Sequence, residues 1–260
     1  MKPLTKSRFK LGLECPNKLY FTGKAEYANK KIQDSFLEAL AKGGFQVEAL
    51  ARLQYPEGVF VDAENYEYEK AKELTKQHFE TTNVCLYEAA FATENLFVRS
   101  DIVKKDGSAI KLIEVKSKSY GPEDNYTFIG KKGGRVAAWK PYLFDLAFQK
   151  YVAQKSFPEF TFTAYLMLAD KTKKATVDGL NQMFRIRTGV DPRKGIEFEI
   201  ENLAKIGDSV LCEVNVDHTI NEILSGSYPY FEGLSFEETV DFLQNNYIEN
   251  IYSNWPCKHS

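Results

Sequence analysis

N-L-F-V-R-S-D-I-V-K-K-D-G-S-A-I-K-L-I-E-V-K-S-K-S, residues 95–119, decides how the rest of this chain reads. Two apolar runs, Leu96 to Val103 and Ile110 to Val115, flank Lys105-Asp106-Gly107-Ser108. Aspartate–glycine between apolar stretches predicts a hairpin. Pairing Lys104 with Ala109 around a four-residue loop sets Asp101 opposite Leu112. Side chains alternate with period two, so Asp101 shares a face with Glu114 and Lys116. Asp101 and Glu114 then become diagonal cross-strand neighbours, roughly 7–8 Å apart at the backbone. Carboxylates so placed can share one hard, oxygen-seeking cation such as Mg²⁺, which leaves its other positions to water and phosphate.

The triplet Glu114-Val115-Lys116 carries little weight alone, because in a chain this rich in Glu and Lys it arises about once or twice by chance. Its weight comes from spacing, facing parity and the apolar strand context. The competing account is a solvated polar face, with Asp101 and Lys116 forming a surface ion pair. A second hairpin bears on the choice. Val84 to Phe91 is another apolar strand, and pairing Ala92 with Phe97 puts Glu88 directly opposite Asp101. Like charges in that position destabilise a sheet unless a cation lies between them. A one-residue slip would instead turn Glu88 to the other face, and both registers stay open.

At this point the chain resembles the PD-(D/E)xK nuclease superfamily, in its RecB-like branch. The resemblance rests on the order helix, strand, strand with Asp101, turn, strand with Glu114-Val115-Lys116, then helix. The opening Leu4-Thr5-Lys6-Ser7-Arg8-Phe9 through Cys15-Pro16-Asn17-Lys18-Leu19-Tyr20-Phe21 is similar to the N-terminal helix of that branch. Gly43 to Ala51 is similar to its first motif, a helix with an acidic or histidine metal ligand, and Glu48 holds that place. Closest is a bacterial group in which such a domain precedes a second domain of unassigned function. The resemblance covers roughly residues 1–170.

It implies a restriction-endonuclease-like α/β fold, a mixed central sheet flanked by helices with a helical N-terminal region. It also implies a deoxyribonuclease that leaves a 5′-phosphate. Asp101, Glu114, Glu48 and the Val115 carbonyl would hold Mg²⁺ or Mn²⁺, and Lys116 would orient or deprotonate water and stabilise the phosphorane. Relatives place a glutamine and an aromatic on the following helix, and here Gln149 and Tyr151 are the candidates. With Glu88 these two are candidates for an outer layer around the site.

The helix itself, Ala137 to Ser156, has apolar residues at helical spacing (Leu143, Leu146, Ala147, Tyr151), while Asp145 and Gln149 share a face. Just before it, Thr127 to Arg135 is glycine-rich and basic, followed by Trp139-Lys140. Lys131, Lys132, Arg135 and Lys140 are candidates for nucleic-acid contacts, with a solvated loop as the alternative. The C-terminal third reads as strands (Ile196 to Ile200, Ser209 to Val216) and helices (Thr219 to Leu224, Phe236 to Asn246). One domain of 260 residues is expected, with a core over about 30–170 and an α/β extension over 171–260.

Composition narrows the function classes. A net charge of −2 argues against a protein that coats nucleic acid, although a nuclease can keep its positive charge local. No apolar run approaches the ~20 residues of a membrane span, and the first six residues do not open a signal peptide. A cytoplasmic protein with DNA as partner and no membrane contact is expected. The four cysteines Cys15, Cys85, Cys212 and Cys257 contain no C-x-x-C pair. Some relatives hold an iron–sulfur cluster, but two thiolates at Cys15 and Cys257 fall short of the usual four, so none is expected here. The stop at Trp255-Pro256-Cys257-Lys258-His259-Ser260 reads as an excerpt of a longer protein with a further domain downstream. Two other functions stay open: a catalytically silent nucleic-acid-binding module, and a protein-interaction scaffold.

Overall fold

The structure, a computed structural model, describes residues 3–24, 35–121, 128, 138–187, 196–198, 206–226 and 233–249. A short strand β1 (Leu4–Thr5) leads into helices α1 (Lys6–Glu14), α2 (Pro16–Phe21) and α3 (Ser35–Arg52). Strand β2 (Val59–Phe60) and helix α4 (Tyr68–Phe79) precede three long strands, β3 (Asn83–Ala92), β4 (Leu96–Asp106) and β5 (Ala109–Tyr120). Helix α5 (Lys140–Ser156) crosses to β6 (Thr161–Asp170). After a small hairpin, β7 (Phe184–Ile186) and β8 (Ile196–Phe198), come β9 (Leu211–Asn215), α6 (Asp217–Leu224) and α7 (Phe236–Glu249).

The central sheet is mixed, in the order β2-β3-β4-β5-β6-β9, with β1 pairing to β4 off that path. The β3–β4–β5 meander is antiparallel, β6 lies parallel to β5 after the α5 crossover, and β9 returns antiparallel. Helices cover both faces, so alternate strand residues enter different cores. Leu86, Val103, Leu112 and Leu166 pack with residues of α1, α4, α5, α6 and α7. Tyr87, Ile102, Ile113 and Met167 pack instead beneath Ala51 of α3 and Tyr55. The larger core reaches from Leu4 to Leu243, so the C-terminal helices complete it rather than standing apart. Its centre includes Phe9 of α1 stacked on Phe148 of α5 at 4.3 Å. Helix α5 starts at Lys140, with Pro141 in its first turn, where a missing amide hydrogen costs nothing.

Two register findings position everything else. Of the two registers left open for β3–β4, the ladder takes the one that sets Ala92 opposite Phe97. The β4–β5 hairpin is tighter than expected: Asp106 pairs with Ala109, so Gly107 and Ser108 alone close it. Gly107 takes a left-handed φ of 57°, which glycine adopts without strain. The correction is two residues, and a shift of two keeps every side chain on its face. Asp101 therefore still shares a face with Glu114 and Lys116, and the register now carries it directly opposite Glu114.

Candidate active site

The regular ladder between β4 and β5 ends at Ile102–Ile113. Beyond that point β4 takes β1 as its partner, through Leu4–Leu96 and Thr5–Phe97. Strand β5 stays with β6 but loses register between Val115 and Ser119, an irregularity over the stretch that begins with Lys116. Bulges re-aim side chains, and they recur beside active sites for that reason. Where the strands part, a side chain replaces the ladder: the Val115 N–H donates to Asp101 Oδ2 at 2.8 Å. The centre lies in this fork.

Glu114 is fully buried, and Asp101 nearly so. The solvated-face account is therefore excluded for both, and they form part of the interior. Gln149 of α5 donates through Nε2 to Glu114 Oε2 at 2.7 Å, while its Oε1 accepts from the Ser100 hydroxyl at 2.8 Å. This relay fixes the amide and aims it at the carboxylate. Lys116 also donates to Glu114. A third donor comes from the N-terminus: Lys6 Nζ lies 3.0 and 3.2 Å from the Glu114 oxygens and 3.7 Å from Asp101 Oδ1. Asp145, also fully buried, meets Lys10 at 3.4 Å and Lys116 at 3.8 Å. Its Oδ1 has no hydrogen-bond partner among the described residues.

Glu48 and Glu88 complete the acidic group around Arg52 of α3, whose Nη2 lies 3.3 Å from Glu48 Oε2 and 3.6 Å from Glu88 Oε1. Glu88 stands where the β3–β4 ladder is interrupted, between the Tyr87–Ile102 and Ala89–Ser100 pairs, and so lies across from Asp101. Its φ of 59° is left-handed, a strained conformation for a non-glycine residue inside a strand. A cleft of about 530 Å³ opens beside the centre, bounded by Thr5 to Arg8 on one side and Glu48, Glu88, Arg99 and Asp101 on the other.

Electrostatics follows from this crowding. Burial pushes the Asp101 carboxyl up to about 6, with the Glu114 charge adding to it and Lys6 and Lys116 opposing. Burial likewise lifts Glu48 to about 8, reinforced by Asp101 and Glu88 against Arg52. Burial would also lift Glu114, but Lys116 and Lys6 outweigh it and hold that group ionised, well below the usual carboxylate range. Burial would depress Lys116, yet Glu114 and Asp101 hold it well above the usual amine range. With these carboxylates around it, Lys116 is held as an ammonium, a form suited to stabilising negative charge.

Hard oxygen donors at Asp101, Glu114 and Glu48 are the type that Mg²⁺ or Mn²⁺ takes. The upward drive on Asp101 and Glu48 from neighbouring negative charge is what a divalent cation would relieve. Among the described residues, however, no group of three or more His, Cys, Asp or Glu is set as a ligand cage. Lysine ammoniums lie among the carboxylates, with Lys6 against Asp101 and Glu114 and Lys116 against Glu114 and Asp145.

Of the other expected residues, Tyr151 is not in the centre. Its hydroxyl donates to Glu237 at 3.0 Å and its ring meets Phe236 at 5.5 Å, because the helical turn carries it toward α7. Lys140 is exposed at the start of α5, while Lys131, Lys132 and Arg135 lie outside the described residues. Cys85 is buried in β3, which pushes its thiol up to about 11, and Cys212 is half-buried in β9. Cys15 is buried, and Cys257 lies outside the described residues. Sequence reading missed Lys6, Lys10 and Arg52, and gave Asp145 no role. The available signal was Lys6 and Lys10, four apart on one helix and hence on one face. No protein-family model and no curated protein matches this chain.

Proposed function

We propose that this protein is a divalent-metal-dependent nuclease hydrolysing DNA phosphodiester bonds, built on a restriction-endonuclease-like arrangement of its mixed sheet. The observation that carries the reading is one cationic nitrogen, Lys6 Nζ, in contact with both Asp101 and Glu114 across the fork of β4 and β5. Two buried carboxylates that converge on one cation are poorly explained as surface polarity. Asp101, Glu114, Glu48 and the Val115 carbonyl would hold Mg²⁺ or Mn²⁺. When bound, such an ion acidifies a coordinated water and offsets charge developing on the phosphorane.

The chain's own groups do the rest. Gln149, held by Ser100, keeps the Glu114 carboxylate oriented. The Val115 amide does the same for Asp101. The Lys116 ammonium, set where β5 loses register, donates to the phosphate as negative charge accumulates. The cleft beside Asp101 supplies room for a phosphodiester and for the attacking water.

End-labelled single- and double-stranded DNA incubated with the protein and Mn²⁺ tests the reading. Cleavage is expected with Mn²⁺ or Mg²⁺, and should vanish with excess EDTA and in Asp101→Asn and Glu114→Gln. Undiminished cutting in EDTA, or by either variant, removes the assignment. A second reading, a silent nucleic-acid-binding module, is favoured by one observation: Lys6 and Lys116 already neutralise Glu114. DNA retention without turnover in Mn²⁺ would select it.

A further inference from the structure

Lys6 stands out because its place is determined from outside the hairpin. Leu4, fully buried, donates its amide hydrogen to the Asn95 carbonyl at 2.8 Å, and β1 pairs with the start of β4. One turn on, Phe9 is stacked on Phe148 of α5. The backbone at Lys6 is thus pinned on both sides to the sheet and helix that carry Asp101, Glu114 and Gln149. The side chain is not so confined. It ends in a compact ammonium on a flexible four-carbon stem, it is 27% exposed, and it lines the 530 Å³ cleft next to Asp101. Lys116 differs, because it reaches Glu114 and Asp145 from the same strand as Glu114 and is 20% exposed.

We propose that Lys6 is a built-in counter-ion that competes with a divalent cation for the Asp101–Glu114 pair. Loading the site displaces its ammonium into the adjoining cleft. This rests on the nuclease reading of the same centre. The physical case is charge and space. Glu114 and Asp101 both touch this one nitrogen, and two like charges buried so close need a cation between them. A divalent ion meets that need better than a single ammonium, but only if the ammonium has somewhere to go, and the cleft is where it goes. Once there, Lys6 sits at the mouth of the site as a positive charge facing an incoming phosphate.

The test measures Mn²⁺ affinity by electron paramagnetic resonance of the free ion, for the wild type, Lys6→Met and Lys6→Arg. Removing a competitor that occupies most of the unloaded population should tighten Mn²⁺ binding about tenfold in Lys6→Met. Lys6→Arg keeps a cation and should stay within about twofold of the wild type. In EDTA, Lys6→Met should melt at a lower temperature than the wild type, and saturating Mn²⁺ should recover the difference. A check on the unaltered protein is reductive methylation read by peptide mass spectrometry, where Mn²⁺ should speed modification of Lys6. Equal or weaker Mn²⁺ binding by Lys6→Met, or slower methylation with Mn²⁺, overturns the competition and leaves the nuclease reading standing. Absence of Mn²⁺ binding from all three proteins removes both.

Discussion

The two ends of the β4–β5 hairpin are built to opposite rules. Toward the turn, from Ile102–Ile113 to Asp106–Ala109, every position pairs across the ladder and charged Lys104 points to solvent. Toward the other end the ladder stops, β5 loses register, and Asp101 and Glu114 are buried with their charges. A continuous ladder satisfies backbone groups with one another and leaves nothing over for chemistry. Where it forks, side chains must take up the backbone groups, as Asp101 does for Val115, and a space appears that a helix terminus can enter. The regular end holds the geometry, and the forked end uses it.

The largest expected effect separates these ends by activity. On the proposed nuclease reading, Glu114→Gln and Asp101→Asn should each lower DNA cleavage in Mn²⁺ by at least about 10²–10³-fold, the scale of losing a major electrostatic contact in a transition state. Lys104→Ala, at the exposed end, should leave the rate within about twofold, since exposed polar positions seldom matter energetically. Comparable losses at both ends would erase the distinction.

Stability should show the reverse asymmetry. Leu112→Ala removes a fully buried side chain from the paired half and should cost about 2–5 kcal/mol in urea unfolding. Gln149→Leu should cost less, about 1–3 kcal/mol, by removing one of the donors to Glu114 and the acceptor of the Ser100 hydroxyl. Yet on the proposed nuclease reading Gln149→Leu should lower kcat, whereas Leu112→Ala should lower only the amount of folded protein. A Gln149→Leu protein with unchanged kcat would show that the relay is structural alone.

A smaller effect concerns pH in the absence of metal. Glu48 has its folded-state pKa raised from 4.5 to about 8, chiefly by burial and then by Asp101. Between those values the folded protein holds a proton that the unfolded chain releases, so this group's contribution falls as pH rises from about 4.5 through about 8. Urea midpoints in EDTA should decline over that window and decline less in Glu48→Gln. Parallel slopes for the two proteins would show that Glu48 is not the crowded acid of this centre.

Much of the centre was legible in the residues themselves. Aspartate–glycine between apolar runs located the hairpin, and strand alternation put Asp101, Glu114 and Lys116 on one face. That conclusion survived a misjudged loop, because the register was off by an even number of positions. Gln149 came from the family resemblance, with helical spacing adding only that it shares a face with Asp145, and Glu88 came from the β3–β4 register. Tyr151 failed because sharing a helix with Gln149 does not mean sharing a face: two residues is about half a turn.

Local pattern therefore determined which strands exist, which side chains align along them, and which carboxylates meet, since these depend on backbone periodicity and a short turn. Only the tertiary structure decided that Lys6, Lys10 and Arg52 join those carboxylates. Their approach depends on long-range pairing of a two-residue strand, on the packing of Phe9 against Phe148, and on the seating of α3 across the sheet. None of these leaves a periodic trace near the residues concerned. The burial that turns the cluster from a solvated surface into a strained interior is likewise a property of the assembled layers, because no strand shows from its own sequence what will cover it.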